Sequence, residues 1–334
     1  MYELPVLEPK LPLKALAVLT SGGDAPGMNA AIRGVVRTAL NHGIEVYGIK
    51  RGFSGLLEND MQLLDSQSVS NIVQRGGTFL KSDRCETFKQ PEVRATAAQI
   101  LRQRGIDGLV VIGGDGSLTG AHLMEEETGL ATIGIPGTID NDVFGSDDTI
   151  GFDTAVNTAL DAIDRIRDTA HSHERHFLVE VMGRNSGFIA THVGIAAGAE
   201  MIVVPEHALD LEELSLQLAN SRVAGHGSSG IIVVAEGKVP GLTGRLAEQL
   251  RIHGQKPHVC ILGHIQRGGT PTGHDRVLAS CLGAMAVKYL LAGYSDIMVG
   301  VRDGRIVDTP LDDLLRYRKG LDPELLNIAL QLHR

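Results

Sequence analysis

The chain has 334 residues, 43% hydrophobic and 21% charged, which is more than one small core accommodates and argues for two folded domains over disorder. A net charge of -9 excludes a general nucleic-acid surface, although a few well-placed Arg and Lys residues can still hold phosphates. Cys85, Cys260 and Cys281 are too scattered for a disulfide framework or a CxxC metal site and read as buried thiols in a reducing compartment. The stretch Met1 to Lys14 carries two acids and three prolines with no apolar run, and nothing downstream reaches the roughly 18 apolar residues that spanning needs. The expectation is a cytoplasmic enzyme with neither nucleic-acid nor membrane partners.

Short β-rich runs predict strands, in chain order, at 15–20, 46–50, 109–113, 132–135, 177–181, 202–204, 231–235 and 259–262. Helical periodicity alternates with them: 29–40 puts Ala30, Val35 and Ala39 near one stripe, 93–104 follows, and 154–167 continues to the polar cluster His171 to Arg175. Gly43 and Gly105 end two of these helices. Such alternation means parallel βα units, whose ligands bind beyond the carboxyl ends of the strands. Glycine-rich loops directly after strands are therefore the places to look for phosphate chemistry.

Three loops qualify. The first, Thr20 to Asn29 (TSGGDAPGMN), leaves a strand for a helix, and its glycines let backbone N–H groups approach an anion. Alone it reads equally well as a tight turn without a ligand. The second, Val111 to Ser117 (VIGGDGS), repeats the arrangement with a carboxylate, Asp115, projecting from the loop, and the pair suggests Mg-nucleotide binding. Neither loop is GxxxxGK[ST] or GxGxxG, so P-loop and simple dinucleotide readings lack their motif. The third, Pro136 to Asp142 (PGTIDND), sets Asp140 and Asp142 two residues apart, as an acceptor hydroxyl that must lose its proton would require. An Asx-rich turn is the structural alternative there.

Arg84, Arg175, Arg184 and Arg267 supply guanidinium groups suited to planar phosphate recognition, although an arginine taken singly is more often a solvated surface residue. His264, within LGHIQRGG, reads singly as a core hydrogen bonder. The run His171, His173 and His176 is assigned no metal, since a helix terminus carrying His with Asp and Arg is more often a charge-paired face.

The strings SGGDAPGMNAAIRGVV, QRGGTFLKSDR, VVIGGDGS, PGTIDND, EVMGR and LGHIQRGG, in this order between about Leu13 and Gly293, closely resemble the bacterial ATP-dependent 6-phosphofructokinases of the phosphofructokinase A family. The resemblance implies an α/β fold of two Rossmann-like three-layer αβα domains with mainly parallel sheets and the active site in the interdomain cleft. It implies an ATP-binding domain of 1–151 plus about 270–315 and a sugar-phosphate domain of about 152–269 plus 316–334. ATP falls to Gly23, Arg84, Cys85, Gly114, Asp115, Gly116, Ser117 and Gly120, with Asp115 near the Mg2+. Asp140 matches the general base, with Asp142 beside it; Thr138, Arg84 and Arg184 match groups on the transferred phosphoryl. Fructose 6-phosphate falls to Thr138, Asp140, Met182, Gly183, Arg184, Glu236, His264 and Arg267, with Arg175 and the residue at 258 reaching it from a neighbouring subunit. Shared sites imply a homotetramer.

Gly116 and Gly137 stand where pyrophosphate-using relatives typically carry an acid and a lysine, which favours ATP over a pyrophosphate-dependent enzyme. The presence of Asp115, Asp140, Asp142, Arg84 and Arg184 together disfavours a non-catalytic metabolite-binding paralogue. Two departures stand out. His258 replaces an arginine of the family's sugar-phosphate site, which predicts weaker sugar-phosphate binding. At the family's effector site Arg33, Arg37, Arg167 and Glu200 match, but Ser66 and Asn71 replace charged residues and Gly225 and Gly227 fall where lysines are usual. Little response to phosphoenolpyruvate is the expectation.

Overall fold

The computed structural model describes residues 2–173, 175–207, 212, 230–237 and 240–332, with the side chains of 171, 173 and 330 excepted. Gly225 and Gly227 lie outside the described residues, as do the side chains of His171 and His173. The chain divides into two compact units, Met1–Thr154 with Arg267–Lys319, and Ala155–Gln266 with Gly320–Arg334.

The first unit is built on a seven-stranded sheet in the order β11-β10-β5-β4-β1-β2-β3, with β1 Ala15–Ser21, β2 Glu45–Ile49, β3 Met61–Leu64, β4 Gly108–Gly113, β5 Ala131–Pro136, β10 Ile297–Arg302 and β11 Arg305–Pro310. The β2-β3 and β10-β11 pairs are antiparallel and the remaining pairs parallel. β1 and β4 are buried along their whole length, as strands covered on both faces must be. Alternation divides their side chains. Ala15, Ala17, Leu19, Leu109 and Val111 join a core with Ala97, Ala98 and Leu101 of helix Pro91–Gln103 and Leu118 and Ala121 of helix Asp115–Thr128. Leu16, Val18, Val110 and Ile112, equally buried, point to the opposite face. Helices Met28–Asn41 and Gly273–Leu291 pack against each other so closely that a Cβ on Gly34 would meet Ser280 O at 2.7 Å and one on Gly283 would meet Ala31 O at 2.2 Å. Both glycines are backbone-approach positions. Thr272 caps the second of these helices by accepting from Asp275 N at 3.2 Å. Asp275, fully buried, in turn accepts from Gly151 N and Thr154 N at 2.9 and 2.8 Å. Burial pushes its carboxyl above the usual range, and these donors pull it back.

The second unit holds a four-stranded, all-parallel sheet in the order β7-β8-β6-β9, with β6 His176–Val181, β7 Met201–Val203, β8 Gly230–Ala235 and β9 His258–Ile261. Leu178, Val203, Ile232 and Val234 form its core with Leu246, Ala247 and Leu250 of helix Leu242–Ile252. Helix Pro323–Leu332 packs on helix Phe188–Ala196.

Strands and helices read from periodicity appear with ends shifted by a residue or two, and 154–167 extends to Phe152–His173. The structure adds β3, β10, β11 and helix Asp115–Thr128, so Asp115 opens a helix where a loop was expected. The three cysteines are free, as expected, but only half-buried, because each sits where its element meets partial solvent. No helix among the described residues is long and apolar enough to cross a membrane.

Candidate active site

In the first unit the glycine-rich loops converge at the carboxyl ends of β1, β4 and β5. Gly113 lies where a Cβ would meet Ser21 O at 2.6 Å and Ser117 Cβ at 2.8 Å, so the first two loops press together only because that residue is glycine. The second loop turns at Gly113-Gly114, and Ser117 N donates back to Gly114 O at 2.9 Å, closing the first turn of the helix that Asp115 begins. Gly137 N donates to Gly113 O at 2.9 Å and joins the third loop to the second.

The string QRGGTFLKSDR wraps the first loop. Asn29 Nδ2 donates to Arg75 O at 3.1 Å while Asn29 Oδ1 accepts from Phe79 N at 2.8 Å, and Gly22 N donates to Asp83 O at 3.2 Å. This carries the exposed Arg84 and the half-buried Cys85 to the first loop. Gly76 and Gly269 approach so closely that a Cβ on Gly76 would meet Gly269 O at 2.2 Å. Arg267 comes with that segment: a Cβ on Gly23 would meet its Nη1 at 2.7 Å. Gly120 faces Phe88 at 3.2 Å, part of a stacked Phe53–Phe88 pair with centroids 3.9 Å apart, so packing alone already requires a small residue there.

The third loop is the most confined. Asp140 is only 2% exposed, and its N–H donates to Thr138 Oγ1 at 3.2 Å, while Thr149 Oγ1 donates to Thr138 O at 2.6 Å. Asn141, between the two acids, has φ of 53° and donates from Nδ2 to Asp147 O at 3.1 Å. Asp142 is half-buried beside it. A carboxylate this enclosed, on a loop hydrogen-bonded at both ends, is held in place rather than solvated as a surface acid.

Asp115 opens the helix that leaves the second glycine-rich loop, and among the described residues no group of three or more His, Cys, Asp or Glu side chains is placed to hold a metal ion by itself. That donor set fits Mg2+, which keeps waters and shares phosphate oxygens with one or two carboxylates, better than an all-protein cage.

In the second unit Met182, Gly183, Arg184 and Glu236 gather just past the carboxyl ends of β6 and β8 and His264 follows β9, whereas Arg175 and His258 lie at the opposite, amino ends of β6 and β9. Gly183 has φ of 142°, and a Cβ on it would meet Ser186 O at 2.7 Å. Arg184 follows with φ of 53°, its N–H donating to Glu236 Oε1 at 2.8 Å. Gly183 takes its positive φ at no steric cost, so the backbone strain of this turn rests on Arg184. Met182 N donates to Gln266 Oε1 at 2.8 Å, and Gln266 is fully buried. The core hydrogen bonder of LGHIQRGG is therefore Gln266, while His264 is exposed on the 3-10 turn Gly263–Arg267. Arg175 Nη1 donates to His258 Nε2 at 2.7 Å, and His258 stacks on Phe177 with centroids 5.0 Å apart.

Of the effector matches, Arg37 Nη2 donates to Ser66 O at 3.2 Å in the first unit, where Arg33 is half-buried on the same helix. In the second unit Arg167 donates to Glu200 Oε1 at 3.1 Å and to the carbonyls of Ala197 and Gly198 at 2.7 and 2.9 Å, beside a cavity of about 620 Å3 that Asp168 and Gly230 also line.

Glycine-cradled loops after parallel strands, one helix-opening carboxylate and one enclosed carboxylate define an α/β phosphotransferase. Residues 15–290 match the phosphofructokinase family, and the chain belongs to it. It is 53% identical over 318 residues, covering 95% of this chain and 98% of the relative, to the ATP-dependent 6-phosphofructokinase 1 of Thermus thermophilus. It is 51% identical over 323 residues, covering 96% and 100%, to that of Clostridium perfringens. Among solved structures, phosphofructokinase from Saccharomyces cerevisiae superposes with a TM-score of 0.84 at 36% identity over 96% of this chain, which spans 46% of the yeast chain. A pyrophosphate-dependent phosphofructokinase from Marinobacter aquaeolei superposes with a TM-score of 0.80 at 26% identity, over 93% of this chain and 86% of its own.

Proposed function

We propose that the chain transfers the γ-phosphoryl group of ATP to the 1-hydroxyl of fructose 6-phosphate, giving fructose 1,6-bisphosphate and ADP. The observation that carries this reading is Asp140, 2% exposed on a loop that Gly137 N ties at 2.9 Å to the loop preceding Asp115. The naming of relatives at about half identity supports the same acceptor and donor.

In the proposed step the sugar hydroxyl oxygen forms a bond to the γ-phosphorus as the bond to the β–γ bridging oxygen breaks, and the hydroxyl proton passes to Asp140. Asp142 keeps a second negative charge beside the base, and Thr138 and Arg84 contact the phosphoryl group in transit. Gly23, Cys85, Gly114, Gly116, Ser117 and Gly120 line the nucleotide's place. Asp115 would hold Mg2+, which would supply charge neutralisation there. Arg184, Met182, Gly183, Glu236, His264 and Arg267 take the sugar phosphate; Arg175 and His258 serve a neighbouring subunit of a homotetramer. The reaction is cytoplasmic, and the effector residues Arg33, Arg37, Arg167 and Glu200 hold a weakened regulatory site.

Gly116 and Gly137 favour ATP: a side chain at 116 meets nothing within 4 Å, so the absence of an acid there reflects the donor and not the packing. The test is fructose 1,6-bisphosphate formation with ATP or pyrophosphate in wild type and Asp140→Asn. ATP-driven turnover falling at least about 10³-fold in the variant supports the reading. Preference for pyrophosphate, or an Asp140→Asn enzyme as active as wild type, overturns it.

A further inference from the structure

Three consecutive side chains at the end of the first unit touch both acid-bearing loops, and none belongs to the machinery above. Tyr317 packs its ring on Phe144 with centroids 5.1 Å apart. Arg318 Nη1 donates to Asp115 Oδ2 at 2.8 Å. Lys319 Nζ donates to Asn141 Oδ1 at 2.9 Å and to Asp147 O at 2.6 Å, the same carbonyl that Asn141 Nδ2 reaches. The ammonium, the amide and the carbonyl thus close a triangle around the residue that separates Asp140 from Asp142.

Asn141 holds a left-handed φ of 53°, a conformation asparagine adopts more readily than other non-glycine residues and that its surroundings then hold in place. Here the surroundings are Lys319 and Asp147. We infer that Lys319 is a positioning residue: by tying Asn141 to Asp147 it fixes the backbone that presents Asp140 to the acceptor hydroxyl. This rests on the reading of Asp140 as the base.

A lysine is a costly way to fill this place. Burial pushes its ammonium down to about 8, while Asp148, Asp147 and Asp142 pull the other way, and Asp148 itself takes His274 Nε2 at 3.3 Å. An apolar side chain of the same length would pack without desolvating a charge. The charge therefore acts on the loop it binds, and with its proton gone Lys319 can no longer donate to both acceptors in the same way.

The test is steady-state kinetics on the full chain for Lys319→Met, Lys319→Arg, Asn141→Ala and the Lys319→Met/Asn141→Ala double variant. Lys319→Met is expected to lower kcat about 10- to 100-fold while KM for ATP moves less than about threefold, as a misplaced base predicts. Lys319→Arg restores part of the loss, and the double variant loses no more than the worse single variant. Wild-type kcat declines as pH rises through about 8, and Lys319→Arg, which keeps its charge, holds its plateau. A Lys319→Met kcat within about twofold of wild type, additive losses in the double variant, or matching pH profiles overturn the inference. If Lys319→Met does not fold, the Lys319→Arg profile against wild type decides alone. Asp140→Asn, measured alongside, separates the two readings: activity retained there removes the base, whereas its collapse with Lys319→Met unchanged removes only this inference.

Discussion

Replacing Gly116 by Asp sets folding and nucleotide use against each other. Gly116 is the second residue of helix Asp115–Thr128, exposed, with nothing within 4 Å of a Cβ built on it. Glycine in a helix costs about 0.5 to 1 kcal/mol relative to alanine, and an acid in the first turn gains about 0.3 to 1 kcal/mol from the helix dipole. The fold should therefore be unharmed or slightly more stable. The same carboxylate brought within about 4 Å of a nucleotide phosphate meets repulsion of about 4 kcal/mol at an effective dielectric of about 20. That corresponds to about a 10³-fold rise in KM for ATP. Pyrophosphate has no α-phosphate to repel and loses far less. Thermal unfolding and initial rates with both donors decide it. An unchanged melting temperature with KM for ATP within about threefold of wild type would refute the placement of the nucleotide over Gly116.

Two further substitutions test packing and substrate affinity. Gly283→Ala forces a methyl to 2.2 Å from Ala31 O where two helices cross, and should cost about 1 to 3 kcal/mol, seen as a melting temperature lower by several degrees with kcat intact; an unchanged melting temperature would mean the helices slide apart freely. His258→Arg adds a guanidinium in place of an imidazole that now accepts from Arg175, and should lower half-saturation by fructose 6-phosphate about tenfold or more, with no change if the position does not serve the sugar phosphate.

The parallel strands were legible because they are apolar runs ended by glycine, as in ALAVLTS and GLVVIG. β10 and β11 were equally legible in principle. Asp303 and Gly304 have φ of 50° and 72°, the positive pair that a two-residue hairpin demands, and Asp-Gly between apolar runs is its signal. Helix Asp115–Thr128 hid behind its own loop, since its buried face, Ser117, Leu118, Ala121, His122 and Met124, mixes polar side chains with apolar ones. The acids of the site could be read because their spacing is local. Tyr317, Arg318 and Lys319 could not, because they reach their partners across more than 170 positions of sequence and nothing in RYRKG announces them.

That late segment also answers a difficulty posed by the net charge. A chain at -9 that gathers Asp115, Asp140, Asp142, Asp147 and Asp148 on neighbouring loops repels the polyphosphate it is proposed to use. Long-range attraction is unavailable, so compensation must be local. Arg318 on Asp115 and Lys319 on the third loop place two cations among those five acids, from a segment distant in sequence. The Arg318 guanidinium on the Asp115 carboxylate keeps an isolated acid from facing incoming phosphate. Removing Arg318 should then leave Asp115 without this cation and the site more repulsive to nucleotide, read as a KM for ATP that rises in Arg318→Met and rises less as added salt screens the charges.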